Sequence, residues 1–316
     1  MAGLVKPQIL VIGGPTATGK TALSVALARR FDGEVISADS MQLYRGLDVG
    51  TAKVTAEEAE GVPHHLVDSI GPEQTYSVAD YVAAARRCID EILSRGKLPM
   101  VVGGTGLYIS SLLNGVEFTP QKPTAELRRA LEQELEQRGR EALYRELQEL
   151  DPEGAACIHP NNTPRLLRAL ELYRSTGKTM SQQKAESRPA EEPYDALVFG
   201  LNDPDREALN RRIDLRVDRM LEQGILDEAR QVWLNRGAWK TAAQAIGYKE
   251  FFPYFEGEAE LERCTDDLKQ ASRRYAKRQL TWFRHMPQVQ WLDISQPDVV
   301  GTAEKLVQEF LRRGAL

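Results

Sequence analysis

Eight consecutive residues, Gly14, Pro15, Thr16, Ala17, Thr18, Gly19, Lys20 and Thr21, fit the pattern G-x-x-x-x-G-K-[ST] and directly follow the apolar run Gln8-Ile-Leu-Val-Ile12. A strand entering such a loop and a helix leaving it is the setting for phosphate binding. The glycines let successive backbone N–H groups turn inward around phosphate oxygens, and the following helix aims its positive end at the same point. Lys20 supplies a point charge and Thr21 a hydroxyl ligand for Mg²⁺. The loop alone does not say which diphosphate or triphosphate it holds.

A nucleotide hydrolase with this loop carries an acidic residue at the end of another apolar strand. Here Pro99-Met-Val-Val102 runs into Gly103-Gly-Thr-Gly106 without a carboxylate, whereas Val35-Ile-Ser-Ala38 ends in Asp39, and no N-K-x-D guanine-reading motif occurs. Asp39 is therefore the carboxylate expected nearest the loop, at the end of a strand placed beside the first. General base, water-mediated Mg²⁺ ligation and a helix cap shared with Ser40 all remain open for it. The pair His64-His65 lacks a third ligand at metal-binding spacing and reads as a turn entering a strand. Cys88, Cys157 and Cys264 lie far apart with no C-x-x-C pair, so neither a disulfide framework nor a zinc cluster is indicated.

These residues must be positioned by strands. Val- and Ile-rich runs at Ile9–Ile12, Glu34–Ala38, His65–Asp68 and Pro99–Val102 alternate with helical patterns at Thr21–Phe31 and Ser77–Arg95. That alternation predicts an α/β fold with a phosphate-loop parallel sheet, helices on both faces and ligands at the carboxyl ends of the strands. From about Pro120 to Pro193 the texture becomes charged and amphipathic, which predicts a mainly helical inserted lobe over 120–195 within a core of 1–119 and 196–316. Ala196–Leu201 returns to the sheet, helices are expected over Asp205–Trp233 and Leu261–His285, and Gln290–Leu292 is a candidate last strand. The 316 residues are 42% hydrophobic and 28% charged with net charge −5, ordinary for a globular protein, and no apolar stretch reaches membrane-span length. With no signal or transit peptide ahead of the first strand, a cytoplasmic protein is expected. Against the acidic balance, Arg165, Arg168 and Arg174 share one segment. A second basic stretch, Arg273-Arg-Tyr-Ala-Lys-Arg278, is followed by Trp282-Phe-Arg284. Each alone reads as a solvated helix face; two on one chain raise a nucleic-acid reading.

The loop residues, with Ser37-Ala-Asp-Ser-Met-Gln-Leu-Tyr44, Gly50-Thr-Ala-Lys53 and Pro63-His-His-Leu-Val-Asp68, resemble the tRNA dimethylallyltransferase family of bacterial type. Gly103 to Tyr108, Pro164 to Glu171, Arg211 to Met220, Gln244 to Lys249 and Arg273 to Phe283 continue the resemblance in the family's order. It implies transfer of a dimethylallyl group from its diphosphate to N6 of the adenine 3′-adjacent to the anticodon, in the presence of Mg²⁺, by a monomer that binds a tRNA anticodon stem-loop. Arg216 and Arg212 would clamp the diphosphate beside the loop, Asp39 would take the N6 proton and Thr105 would orient the reacting groups. By the same resemblance Asp39, Ser40, Met41, Gln42 and Thr105, then Pro164, Arg165, Leu166, Leu167 and Arg168, and Gln244, Ala245, Ile246, Gly247, Tyr248 and Lys249 contact the tRNA, with Arg128 added from the lobe.

Three other readings use part of the same features. A small-molecule or nucleoside kinase would use the loop for ATP and Asp39 toward a hydroxyl, which accounts for the first third of the chain only. An RNA-binding protein gated by a nucleotide leaves Asp39 and Thr105 idle. Transfer onto a free adenine nucleotide leaves the lobe and the basic segments without a role.

Overall fold

The computed structural model describes residues 6–116, 124–187 and 191–314. Six parallel strands form one sheet: β1 (Gln8–Gly13), β2 (Gly33–Ser37), β3 (His64–His65), β4 (Leu98–Gly103), β5 (Asp195–Asn202) and β6 (Val289–Asp293), in the spatial order β3-β2-β4-β1-β5-β6. The central strands are continuous apolar runs because both faces are covered. Leu10, Ile12, Val35, Met100, Val102, Leu197 and Phe199 pack with Leu23, Leu27, Ala303, Val307 and Phe310 from helices α1 (Lys20–Phe31) and, at the end of the described chain, Val299–Gly314. Ile9, Val11, Ile36, Val101 and Val198, which alternate with them, are equally buried on the opposite face. There the sheet meets helix α2 (Val78–Ser94), which also packs on α3 (Gly106–Leu113).

Three expectations change. β3 is two residues long, not His65–Asp68, because Leu66 and Asp68 adopt left-handed φ values of 58° and 52° that end the extended run. The helix expected over Asp205–Trp233 is two, α4 (Arg206–Glu222) and α5 (Ile225–Leu234), divided at Gly224 with φ 94°. β2 is not beside β1: β4 lies between them, so Thr105 leaves the strand flanked by both.

A long helix, α6 (Leu261–Arg284), crosses the loops that follow β1 and β4. Its buried Phe283 ring lies so close to Gly13, and its Gln279 and Trp282 so close to Gly104 and Gly106, that a Cβ at any of the three glycines would collide with them. These positions are glycine because a helix rests on the loop backbone.

Contacts divide the chain into two compact units, 1–113 with 193–316, and 114–192. The second unit consists of helices Ala125–Arg138, Arg140–Leu150, Pro152–Ala156, Thr163–Thr176 and Met180–Glu186 around Leu131, Leu143, Leu147, Ile158, Leu166 and Leu170. Arg174 ties three of its helices by pairing with Glu134 and Glu146 at 2.8 Å each. Among the described residues no helix is long and apolar enough to cross a membrane.

Candidate functional site

The phosphate loop is held by its own backbone and side chains. Gly14 turns with φ 139°, where a Cβ would stand 2.6 Å from the Leu201 carbonyl oxygen, and Ala17 and Gly19 take positive φ. Thr18 Oγ1 donates to the Pro15 carbonyl at 2.8 Å, so this side chain staples the loop rather than facing a ligand. Lys20 Nζ donates to the same carbonyl at 2.7 Å. No side chain caps the start of α1, so its first-turn N–H groups remain available to an anion.

The ends of β2 and β4 are joined beside it. Thr105 donates its backbone N–H to the Ala38 carbonyl at 3.0 Å, and Thr105 Oγ1 accepts from the Ser40 N–H at 3.1 Å. Asp39 Oδ1 accepts from the Met41 N–H at 2.8 Å, which fixes the carboxylate; its second oxygen has no hydrogen-bond partner among the described residues. Gln279 of α6 bridges the two loops: its Oε1 accepts from the Thr16 N–H at 3.0 Å and its Nε2 donates to the Gly104 carbonyl at 3.1 Å.

These parts border one cavity of ≈ 1000 Å³. Thr16 to Thr21, Asp39 to Gln42, Gly103, Gly104, Arg212, Arg216, Gln244 to Gly247 and Lys249 all line it. Lys20 is partly open to this space yet surrounded by protein. Burial, with Arg216 adding repulsion and Asp39 opposing, pulls its ammonium down to about 7. Burial also lowers Arg216, against Asp39 and Glu58, and Arg216 makes no ion pair within 4 Å among the described residues. A guanidinium stays charged in any case. Arg212, one turn earlier on α4, approaches the buried Asp203 carboxylate at 4.0 Å. Two desolvated cations without a bonded carboxylate form a receptor for an anion.

Other expected residues lie elsewhere. Tyr248 is fully buried behind the cavity, its hydroxyl donating to Glu228 at 2.6 Å, so a direct RNA contact through this ring has no surface to act on. Leu166 and Leu167 likewise point into the core of the second unit, which leaves Pro164, Arg165 and Arg168 as that segment's outer residues. Arg168 pairs with Glu171 at 2.8 Å, and Arg128 pairs with Glu132 at 2.9 Å. The Gln42 amide is engaged on both sides: Oε1 accepts from Ser37 Oγ at 2.9 Å, and Nε2 donates to the Thr51 and Ala52 carbonyls at 3.3 and 3.2 Å.

The cavity also recruits Tyr275, Arg278 and Gln279, which in the sequence fall in a basic stretch and in the Arg273 to Phe283 resemblance without a site role. Their i, i+3, i+4 spacing puts them on one face of α6, the signal that was there to find. The Tyr275 phenol is pushed up to about 12 by burial and the Asp39 charge, while hydrogen bonds with Thr105 and Gln279 oppose. Lys53, buried, bridges Asp48 and Asp68 and so holds the 48–53 wall.

Fold and site together define a phosphate-loop α/β protein whose cavity is lined by two desolvated cations and a carboxylate. The IPP transferase family model matches residues 42–286, and the chain belongs to that family. It is 48% identical over 292 residues to a protein of Bacillus subtilis (strain 168) named tRNA dimethylallyltransferase, covering 92% of each chain. Among solved structures it is similar to the full-length tRNA isopentenylpyrophosphate transferase of Bacillus halodurans, with a TM-score of 0.73 at 43% identity over 98% of both chains. It is also similar to a eukaryotic dimethylallyltransferase acting on tRNA, with a TM-score of 0.81 at 32% identity over 97% of this chain and 80% of that one.

Proposed function

We propose that this protein transfers a dimethylallyl group from dimethylallyl diphosphate to N6 of the adenine 3′-adjacent to the anticodon of tRNA, as the names of its relatives suggest. One observation carries the reading: Lys20 and Arg216, the anion receptor, and the Asp39 carboxylate line the same cavity. A leaving group and a proton acceptor are what N-prenylation requires, and the relatives support this over the kinase alternative. As the allylic C–O bond breaks, negative charge grows on the diphosphate, and the loop N–H groups, Lys20, Arg216 and Arg212 stabilise it. As the C–N bond forms, the N6 proton passes to Asp39, whose carboxylate the Met41 N–H holds in place. Thr105, fixed between Ala38 and Ser40, orients the reacting groups.

The donor set suits Mg²⁺ shared with a substrate: among the described residues no three His, Cys, Asp or Glu side chains gather into a metal cage. Thr21, at the start of α1, would be the protein ligand, the remainder coming from diphosphate oxygens and water, and the ion when bound offsets diphosphate charge. The tRNA stem-loop would meet Ser40, Met41, residues 244–247, Lys249, Pro164, Arg165 and Arg168, with the lobe of residues 120–195 as an RNA-contacting insertion. We further place the protein in the cytoplasm, as a monomer.

The test is to incubate the protein with Mg²⁺, dimethylallyl diphosphate and an unmodified tRNA carrying adenine at that position, then weigh the RNA. A gain of one dimethylallyl group is expected. An unchanged RNA mass, with phosphorylation of a small molecule by ATP, would refute the proposal in favour of the kinase.

A further inference from the structure

Beyond the cavity, the same face of α6 carries an unused feature. Tyr275, Arg278 and Gln279 line the cavity, and Trp282 follows one turn on. The indole edge lies against Gly106, the residue after Thr105, just as Gln279 lies against Gly104. Trp282 is therefore anchored on the residue after Thr105. Yet 43% of it is exposed, and Leu107 beside Gly106 is 46% exposed. Two large apolar side chains thus stay exposed on either side of Gly106, on the helix whose preceding turn lines the cavity, which makes this a candidate contact surface.

Charge identifies the partner. Arg274, Lys277, Arg278 and Arg284 are exposed on this helix and make no ion pair within 4 Å among the described residues, and Arg278 stands 5.3 Å from the Tyr275 ring. An exposed aromatic among unpaired cations suits a nucleobase on a phosphate backbone. The physics of the reaction supplies the need: an adenine withdrawn into a cavity leaves its neighbours in the strand without a stacking partner. We propose that Trp282, backed by Gly106 and bordered by Leu107, is a stacking platform for the nucleobase next to the adenine being modified. This rests on the RNA-prenylation reading above.

The test uses the full chain with anticodon stem-loop RNAs that are intact, abasic immediately 5′ of the target adenine, or abasic immediately 3′ of it. Transfer by the wild type to intact RNA is measured first; its absence would sink the function reading itself, and the stacking proposal with it. Given transfer, Trp282→Ala should raise KM for intact RNA about 5- to 100-fold, with KM for dimethylallyl diphosphate unchanged within about twofold, and Trp282→Phe should restore most of the loss. One of the two abasic RNAs should cost the wild type a similar factor and cost Trp282→Ala almost nothing further, because the variant and the abasic site remove the same stack. Where circular dichroism shows Trp282→Ala unfolded, Trp282→Phe and Trp282→Leu are compared on the same RNAs, and Leu should lose the sensitivity to the abasic site that Phe keeps. The proposal is overturned by losses that multiply independently for both abasic positions, or by equal losses in RNA and diphosphate KM. It is also overturned if Trp282→Ala changes the sedimentation of the protein and not KM for RNA, which would make the patch an interface between copies of this chain.

Discussion

Raising the pH should weaken diphosphate binding while the fold itself does not weaken. In the open cavity Lys20 loses its proton at about 7, against an ordinary 10.5. A bound diphosphate restores the ammonium, because an opposite charge favours the charged form. Free sites thus shed the proton as pH passes 7 and bound sites keep it until near 10.5, so binding in this window takes up a proton. With those two values, affinity falls roughly 20-fold between about pH 7.5 and pH 9, and about 0.9 proton is taken up at pH 8. Lys20 is half-buried at the cavity wall, so these factors are the most the site can show. The terminal phosphate titrates near pH 6, so the ligand's own charge is constant in this range. Stability moves the other way: between 7 and 10.5 the unfolded chain binds the proton that the folded chain has lost, so this group's contribution to stability rises with pH. Calorimetric titration of dimethylallyl S-thiolodiphosphate, in buffers of different ionisation enthalpy, reads affinity and proton uptake together. Lys20→Arg, which cannot lose its proton, should give a flat profile. A flat wild-type profile without proton uptake, or an equal slope in Lys20→Arg, would refute the assignment.

Asp39→Asn should lower kcat about 10²- to 10⁴-fold, with the RNA dissociation constant from fluorescence anisotropy changed only a few-fold; parallel loss of both would make Asp39 a recognition residue. Arg165→Ala with Arg168→Ala should flatten the salt dependence of RNA binding by roughly 0.7 to 0.9 for each phosphate no longer neutralised, chiefly through Arg165, since Arg168 already pairs with Glu171. An unchanged slope would remove that segment from the interface. Burial alone would raise the Glu34 carboxyl, but hydrogen bonds from Arg95, His65 and Lys97 outweigh it and pull the group from 4.5 to about 2. Its stabilisation, on the order of 3 kcal/mol, is therefore complete above pH 4.5 and lost as pH falls toward 2. Urea titrations of Glu34→Gln and wild type should converge at the acid end; a constant gap would show that the carboxyl is not depressed.

The sheet was legible where one residue type met one requirement. Apolar runs such as Ile9–Ile12 can only be strands covered on both faces, and the loop after them has a spacing that few other structures need. The order of strands was not legible, because nothing local tells β2 that β4 will insert between it and β1. Nor could sequence separate an amphipathic core face from a binding face: Leu166 and Leu167 sit among arginines in a segment that reads as RNA-facing, and their leucine side chains complete the core of the second unit. The same limit hid Gln279, whose role arises from α6 lying on a distant glycine, Gly104, and Tyr275, which meets Thr105 and Gln279 beside it.

The sharpest case is two loops that offer backbone N–H groups to an anion. After β1 a neutral amide, Gln279, takes the Thr16 N–H, and no side chain caps the first turn of α1. At Asp48, Val49 and Gly50 the N–H groups are instead taken by Glu228 of α5, at 2.7, 3.0 and 2.9 Å, and Tyr248 donates to the same carboxylate. An internal carboxylate fills the second nest, so it braces the cavity wall rather than holding ligand. Truncating Glu228 would leave three amides and a phenol without their acceptor, a larger penalty than the loss of any one bond. What makes the first loop a site is therefore not its glycines alone. On the proposed reading it is the absence of such a carboxylate, together with Lys20 and Arg216, which have no ion pair among the described residues and would be satisfied by a ligand's anion.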